Sequence, residues 1–289
     1  MSFIKKAVER HKAEVEAEAD IHVDIGTKSE NAVVEESLKT STTKIADKRI
    51  INIDIEKLAN LGMLVPNTTN RVLAEEMRIV KRTILKDAFP EKNSVRNNNI
   101  VVVTSSLPGE GKTFVSTNLA LSVAMELDRS VLLIDADVIR GGLIEYLGLE
   151  RSPGLTDMLQ DRSLRVDEIL SKTNINGLNL IAPGTKCPNT AELFSSSGMK
   201  RLIQELAARY DDRLIVIDSP PLLATSDAMY LASIADQVIF VVDSESTVEQ
   251  RVSDALSQLD DQKAVKLLLN KRHLPAMVES YYSYEQDTD

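Results

Sequence analysis

The sequence predicts an α/β fold, a doubly wound, mostly parallel sheet over residues 100–275 with an N-terminal helical extension before it. Three observations predict it. Short apolar runs recur at Ile100–Val103, Val131–Ile134, Leu178–Ile181, Leu214–Ile217, Gln237–Val242 and Lys266–Leu269, and helical patterns separate most of them. Strands that are apolar on both faces belong to a parallel sheet covered by helices above and below. A Gly-rich turn follows the first run, and aspartates end the second and fourth. In such sheets ligands bind at the carboxyl ends of the strands.

Taken in order, residues 3–19 predict a helix: Phe3, Ile4, Ala7, Val8, His11 and Val15 recur at helical spacing. Its Lys5, Lys6, Arg10 and Lys12 are diluted by Glu9, Glu14, Glu16 and Glu18, which reads as a solvated face. Residues 20–49 are polar, lack a sustained period and predict a linker. Ile51, Ile53 and Ile55 alternate with Asn52 and Asp54 and predict a short strand. Pro66 to Asn70 is a turn that starts a helix over 71–89, with Leu73, Met77, Val80, Ile84 and Leu85 along one face. Asn97-Asn98-Asn99 marks a loop. The expected organisation is 1–49 helix and linker, 50–99 extension with an oligomerisation helix, 100–275 nucleotide-binding domain, and 276–289 tyrosine-rich tail.

Composition removes several classes of function. The 289 residues hold 34 Lys plus Arg against 44 Asp plus Glu, a formal charge of −10. That balance lacks the basic face a nucleic-acid binder needs to displace counterions, so no nucleic-acid partner is expected. One cysteine, Cys187, supports no disulfide framework and reads as a small filler in a reducing cytosol. His11, His22 and His273 lie far apart without zinc-ligand spacing. No run of about 18 apolar residues is present to span a bilayer, and the first residues do not form a signal peptide.

The first strand enters Thr104-Ser105-Ser106-Leu107-Pro108-Gly109-Glu110-Gly111-Lys112-Thr113, and a helix follows. Strand, Gly-rich turn, Gly-Lys-Thr and helix form the context of a phosphate loop, which makes the sheet one of the P-loop NTPase type. Gly109 and Gly111 let the backbone aim N–H groups at phosphate oxygens, and the helix start adds positive potential. Lys112 is expected at the terminal phosphates and Thr113 at a magnesium ion. Ser106 stands where the pattern usually has its first Gly. Asp135 and Asp137 end the second strand and alternation points them the same way; Asp218 ends the fourth, before Ser219-Pro220-Pro221. Three carboxylates at converging strand ends suit magnesium binding and acid–base work.

Lys112-Thr113, the Asp135-Ala136-Asp137 strand and the Asp218-Ser219-Pro220-Pro221 strand resemble the Walker A, A′ and B motifs of bacterial tyrosine kinases, the autokinases of polysaccharide synthesis and export. Pro108-Gly109-Glu110-Gly111-Lys112-Thr113 is typical of them, and Pro188-Asn189-Thr190-Ala191-Glu192-Leu193 continues the likeness. It covers roughly residues 70–289; Met1 to Ala7 and Ile53-Asp54-Ile55 resemble a subgroup of stand-alone autokinases linked to exopolysaccharide systems. The resemblance implies ATP and Mg2+. It implies nucleotide contacts from Pro108, Gly109, Glu110, Gly111, Lys112, Thr113 and Phe114, with Asn270 at the adenine. Asp135 would orient magnesium and accept a tyrosine proton, with Lys112 beside it; Thr113, Asp137 and Asp218 would hold the metal. Ile139 stands where the family often has Arg, and Arg140 follows it.

Three of six tyrosines, Tyr281, Tyr282 and Tyr284, lie in a tail with Glu279, Glu285, Asp287 and Asp289 and no Lys or Arg after Arg272. A tyrosine-rich C-terminus is a trait of the family and implies autophosphorylation there. Glu75, Arg78 and Lys81, three apart on the 71–89 helix, resemble the family's oligomer motif with Lys81 in the last place. The implied partners are further copies in a ring-like homo-oligomer, a membrane-embedded chain-length protein as activator, and a tyrosine phosphatase. The implied location is cytoplasmic, at the inner face of the membrane through the partner. Two other readings stay open. Spatial-regulator ATPases, which partition plasmids or place the division site, share the fold but usually carry a lysine five places before the invariant one, where Leu107 stands. A non-catalytic adaptor would bind nucleotide only to switch shape.

Overall fold

The computed structural model describes residues 50–66, 70–90, 98–149, 152–260 and 264–272. The helix expected at 3–19, the linker at 20–49 and the tyrosine tail lie outside these residues. Eight strands form one sheet: β1 (Ile50–Ile51), β2 (Ile100–Ser105), β3 (Ser130–Asp135), β4 (Leu170–Thr173), β5 (Leu178–Ile181), β6 (Arg213–Asp218), β7 (Gln237–Asp243) and β8 (Ala264–Asn270), in the order β1-β4-β5-β3-β6-β2-β7-β8. All neighbours pair parallel except β4 with β5. The helices are α1 (Ile55–Asn60), α2 (Arg71–Ala88), α3 (Lys112–Ala124), α4 (Gly142–Leu147), α5 (Leu155–Gln160), α6 (Val166–Ile169), α7 (Thr190–Phe194), α8 (Ser197–Ala208), α9 (Ser226–Ile234) and α10 (Glu249–Leu256).

Alternation along the central strands divides the core in two. Val101, Val103, Val131, Leu133, Leu214 and Val216 face α2, α3, α4 and the chain around Met63 to Val65. Ile100, Val102, Leu132, Ile134, Ile215 and Ile217 face α5, α6, α8 and α9. A smaller cluster around Phe240 holds α10. β2, β6 and β7 are buried along their whole length. Removing apolar surface from water on both faces of a strand is the dominant force behind this arrangement.

Two details differ from the sequence reading. The alternating isoleucines do not make one strand, because β1 stops at Ile51 and Ile55 begins α1. Asp54 decides this: its carboxylate accepts from the Lys57 N–H at 3.0 Å and caps the helix. Ile53 is instead paired through the Asn174 amide, which accepts from the Ile53 N–H at 2.8 Å and donates to its carbonyl at 3.0 Å. The second difference is β4, Leu-Ser-Lys-Thr, too polar to show as an apolar run.

The expected 71–89 helix is present as α2, capped by Asn70, whose side chain accepts from Leu73 N–H. Residues 50–66 and α2 share their core with the nucleotide-binding part: Leu58, Met63 and Ile84 are at most 1 % exposed. Leu64 N–H donates to Asn118 on α3 at 2.6 Å, and Gln237 on β7 donates to the carbonyls of Ile84 and Asn98. Leu58→Ala is therefore expected to cost about 2–5 kcal/mol of unfolding free energy. Urea unfolding measures it; a loss below about 1 kcal/mol would show that α1 is not part of the core.

Candidate active site

The phosphate loop is the chain between β2 and α3. Two glycines set its shape: Gly109 has φ +91° and Gly111 has φ +97°. A side chain at Gly111 would meet the Asn270 amide nitrogen at 2.0 Å, so the loop passes where only a hydrogen fits. α3 is apolar or small almost all round, and its residues from Val115 to Val123 are buried. That burial fixes its start, Lys112-Thr113, against the sheet.

Glu110 holds the loop closed. It is 3 % exposed, and one carboxylate oxygen accepts from the Leu107 N–H at 2.7 Å. The other accepts from the Thr247 hydroxyl, in the turn after β7. The Asn270 amide donates to the Glu110 carbonyl at 2.9 Å. The neighbouring turn is held by Asp243, which accepts from Lys271 at 2.8 Å and from the N–H groups of Ser246 and Glu245. Those donors, Lys271 first, hold the Asp243 carboxyl below the usual range.

The three aspartates lie close to one another at the strand ends. Asp135 and Asp218 are register partners on β3 and β6. Both are fully buried. Thr113 Oγ1 donates to Asp218 Oδ2 at 2.8 Å. Asp137 lies past the end of β3, with its Oδ2 4.0 Å from the Lys112 ammonium and its Oδ1 accepting from the Arg140 N–H. Asp135 Oδ1 accepts from the Asp137 N–H at 3.0 Å. Burial pushes Asp218 up to about 6, against the pull of Lys112 and Thr113. Burial also raises Asp135 well above its ordinary value, with the Asp218 charge adding to it.

Three buried polar atoms at this place have no protein hydrogen-bond partner: Asp135 Oδ2, Asp218 Oδ1 and Ser106 Oγ. Orphaned carboxylate oxygens in a buried setting are costly unless a cation or its water answers them. No set of three His, Cys, Asp or Glu side chains among the described residues is close enough to chelate a metal by itself. Magnesium asks for less, one or two carboxylates with water and substrate phosphate oxygens, and these residues fit that demand.

The remaining candidates divide. Pro108 and Leu107 are exposed on the loop. Phe114 is partly buried and packs against the core. Asn270 reaches the loop and braces it. Ile139 and Arg140 are exposed, and Arg140 acts here through its N–H. Glu75 and Arg78 form an exposed ion pair at 2.7 Å. Lys81 is not with them: it pairs with Glu126 and donates to the Ser122 carbonyl on α3. Tyr281, Tyr282 and Tyr284 lie outside the described residues. Sequence reasoning missed Thr247, 137 residues from Glu110, for which no local signal exists. It noted Ser106 as a departure without seeing its orphaned hydroxyl.

The AAA domain family profile matches residues 98–271. The tyrosine-protein kinase YwqD of Bacillus subtilis is 33 % identical over 230 residues, covering 78 % of this chain and 92 % of that protein. The tyrosine-protein kinase ptk of Acinetobacter johnsonii is 34 % identical over 182 residues, covering 63 % of this chain and 24 % of that one. Of several such long relatives the chain spans about a quarter of the length. The kinase domain of the Escherichia coli tyrosine kinase ETK superposes with a TM-score of 0.61 at 26 % identity, covering 78 % of this chain and 83 % of that domain. The MinC:MinD cell division complex of Aquifex aeolicus gives 0.51 at 25 % identity over 63 % of this chain and 72 % of that one.

Two outcomes follow from the geometry. Thr247→Val removes the tie between loop and turn, and ADP affinity is expected to fall about tenfold in calorimetric titration. Unchanged affinity would show the tie to be idle. Asp135→Asn removes one of two facing buried carboxylates, so the nucleotide-free protein is expected to gain about 1 kcal/mol. A lowered melting temperature in scanning calorimetry would contradict that.

Proposed function

The chain belongs to the bacterial tyrosine kinases, and from that premise we propose that it transfers the γ-phosphoryl group of ATP to tyrosine, on its own cluster Tyr281, Tyr282 and Tyr284. The observation that carries the reading is the partnerless Asp135 Oδ2, buried on the rung it shares with Asp218 beside the phosphate loop.

The backbone N–H groups from Gly109 to Thr113 cradle the phosphates, and Lys112, held near Asp137, balances their terminal charge. Thr113, Asp137 and Asp218 would hold magnesium, which when bound neutralises charge on the phosphate oxygens and orients them. Asp135 takes the proton of the tyrosine hydroxyl at Oδ2. Its raised pKa makes it a stronger acceptor than a surface carboxylate, which a phenol with a pKa near 10 requires. The phenol oxygen forms the bond to phosphorus, the bond to the ADP oxygen breaks, and ADP leaves.

The reaction runs between copies in a homo-oligomer. Glu75 and Arg78 offer an exposed charged face for it, while Lys81 is engaged within the chain. The family's setting, and relatives named as tyrosine-protein kinases such as Wzc, support a role in exopolysaccharide or capsule production. A membrane-embedded chain-length protein would then serve as activator and a tyrosine phosphatase as antagonist. No helix among the described residues is long and apolar enough to cross a membrane. Such a partner would hold the kinase at the inner membrane face. Each added phosphate brings about −1.5 to −2 charges to an already acidic tail and favours its release.

Incubation with labelled ATP and magnesium, followed by mass-spectrometric mapping, tests the reading. Label is expected on Tyr281, Tyr282 or Tyr284, with at least about a hundredfold loss in Lys112→Met and in Asp135→Asn. Free phosphate without labelled protein would mark a spatial-regulator ATPase instead.

A further inference from the structure

α2 turns a basic stripe to the outside. Arg71, Arg78, Arg82 and Lys86 are all exposed. They follow one another seven, four and four residues apart, which sets them on one face of a helix. Leu73, Met77, Ile84 and Ala88 are buried on the other side. At 1.5 Å per residue the stripe runs about 22 Å. It borders a groove of about 420 Å³ between α2 and the chain after α3, where Arg129 adds a fifth cation. The Arg129 guanidinium lies over the Phe89 ring, 4.1 Å from its centroid.

Two of the nearby carboxylates are engaged by lysines outside the stripe. Glu126 pairs with Lys81, and Asp87 pairs with Lys266 on β8 at 2.9 Å. Glu75, Glu76 and Asp128 remain to be set against the five cations, which leaves an excess of two positive charges. The chain as a whole carries −10, so this face is opposite in sign to the rest.

Large apolar side chains stand beside the charges. Ile79, next to Arg78, is 62 % exposed, and Met125 is 44 % exposed. Leu127, between Glu126 and Asp128 of the groove, is fully exposed. A cationic helix face with apolar side chains free to leave water is what binding at a membrane interface requires. The arrangement suits a flat surface better than a peptide. Its cations are strung along a straight helix instead of gathered round one point, and Leu127 is uncovered instead of lining a socket.

We propose that the outer face of α2 and the turn after α3 bind an anionic lipid surface. Arg71, Arg82, Lys86 and Arg129 meet the headgroup phosphates, and Leu127 enters the boundary between headgroups and acyl chains. Charge complementarity carries the choice of occupant: basic side chains gain on approaching an anionic leaflet, and the acidic remainder of the chain is turned away from it. The contact needs neither ATP nor a partner protein, so it stands apart from the kinase reading. Arg78 also belongs to the charged face offered to a further copy, and the variants below spare it.

Sedimentation of the full-length chain with vesicles tests the proposal. The vesicles are phosphatidylcholine alone or with about 30 % phosphatidylserine, in about 0.1 M salt. Partition onto the anionic vesicles is expected to exceed that onto neutral ones at least about tenfold. Arg82→Glu with Lys86→Glu is expected to lower it about thirtyfold, with melting temperature and ADP affinity unchanged. The chain has no tryptophan, so Leu127→Trp places a single reporter in the turn. Its emission is expected to move to the blue with anionic vesicles, and to stay in place once the two glutamates are added. Lys5→Glu with Lys6→Glu, which reverses the lysine pair near the N-terminus, is expected to keep most of the binding. Equal sedimentation with both kinds of vesicle overturns the proposal, as does unchanged partition in the α2 variant or an unshifted reporter. An α2 variant that keeps its vesicles but loses association between copies in sedimentation velocity overturns it too, and assigns the stripe to a second chain.

Discussion

Two buried carboxylates that face each other across one rung of a parallel sheet are the constraint on which the rest depends. Asp135 and Asp218 each keep an oxygen without a protein donor, in a place where burial alone disfavours charge. Such a pair is a liability to folding. The sheet tolerates it because its central strands, apolar on both faces, supply ample burial on either side. Strain of this kind collects at functional sites, where a ligand relieves it. A cation with its waters would answer the orphaned carboxylate oxygens, and the phosphates of a nucleotide would answer the Lys112 ammonium.

Around that rung the chain is arranged to hold a loop still. α3 is sunk in the core along its length, so Lys112 and Thr113 cannot drift. Glu110 binds the loop to itself through Leu107 and to a distant turn through Thr247, and Asn270 supports it from the last strand. The segment 50–66 and α2, which carry no chemistry, lock α3 from outside through Leu64 and Asn118. Preorganised backbone donors cost no reorganisation at the moment of reaction, which is what phosphoryl transfer asks of a protein.

Much of this was legible in the residues. Six of the eight strands show as apolar runs, five of them because their residues are buried on both faces, whereas β8 at the sheet edge leaves Leu267 and Leu269 exposed. The phosphate loop shows because its glycines and lysine sit at fixed spacing between a strand and a helix. Asp135, Asp137 and Asp218 show because each follows such a run. Other features could not be read. β4 is polar, and β1 is two residues long and completed by an Asn174 side chain rather than by sequence pattern. Asp54 turns an alternating strand signal into a helix start by a single capping bond. Thr247 joins the site only through the sheet order, which places β7 beside β2. Lys81 leaves its triplet because Glu126 and the Ser122 carbonyl lie within its reach, a fact of packing that helical spacing does not contain.

The central claim is that the paired carboxylates and the closed loop together form a magnesium-nucleotide site. Calorimetric titration of the purified chain with ADP, with and without magnesium, tests it most directly. Saturable binding that tightens at least about tenfold when magnesium is supplied, and that loses this dependence in Thr113→Val, is the expected result. Equal affinity with and without the metal, or no binding at all, would contradict the account.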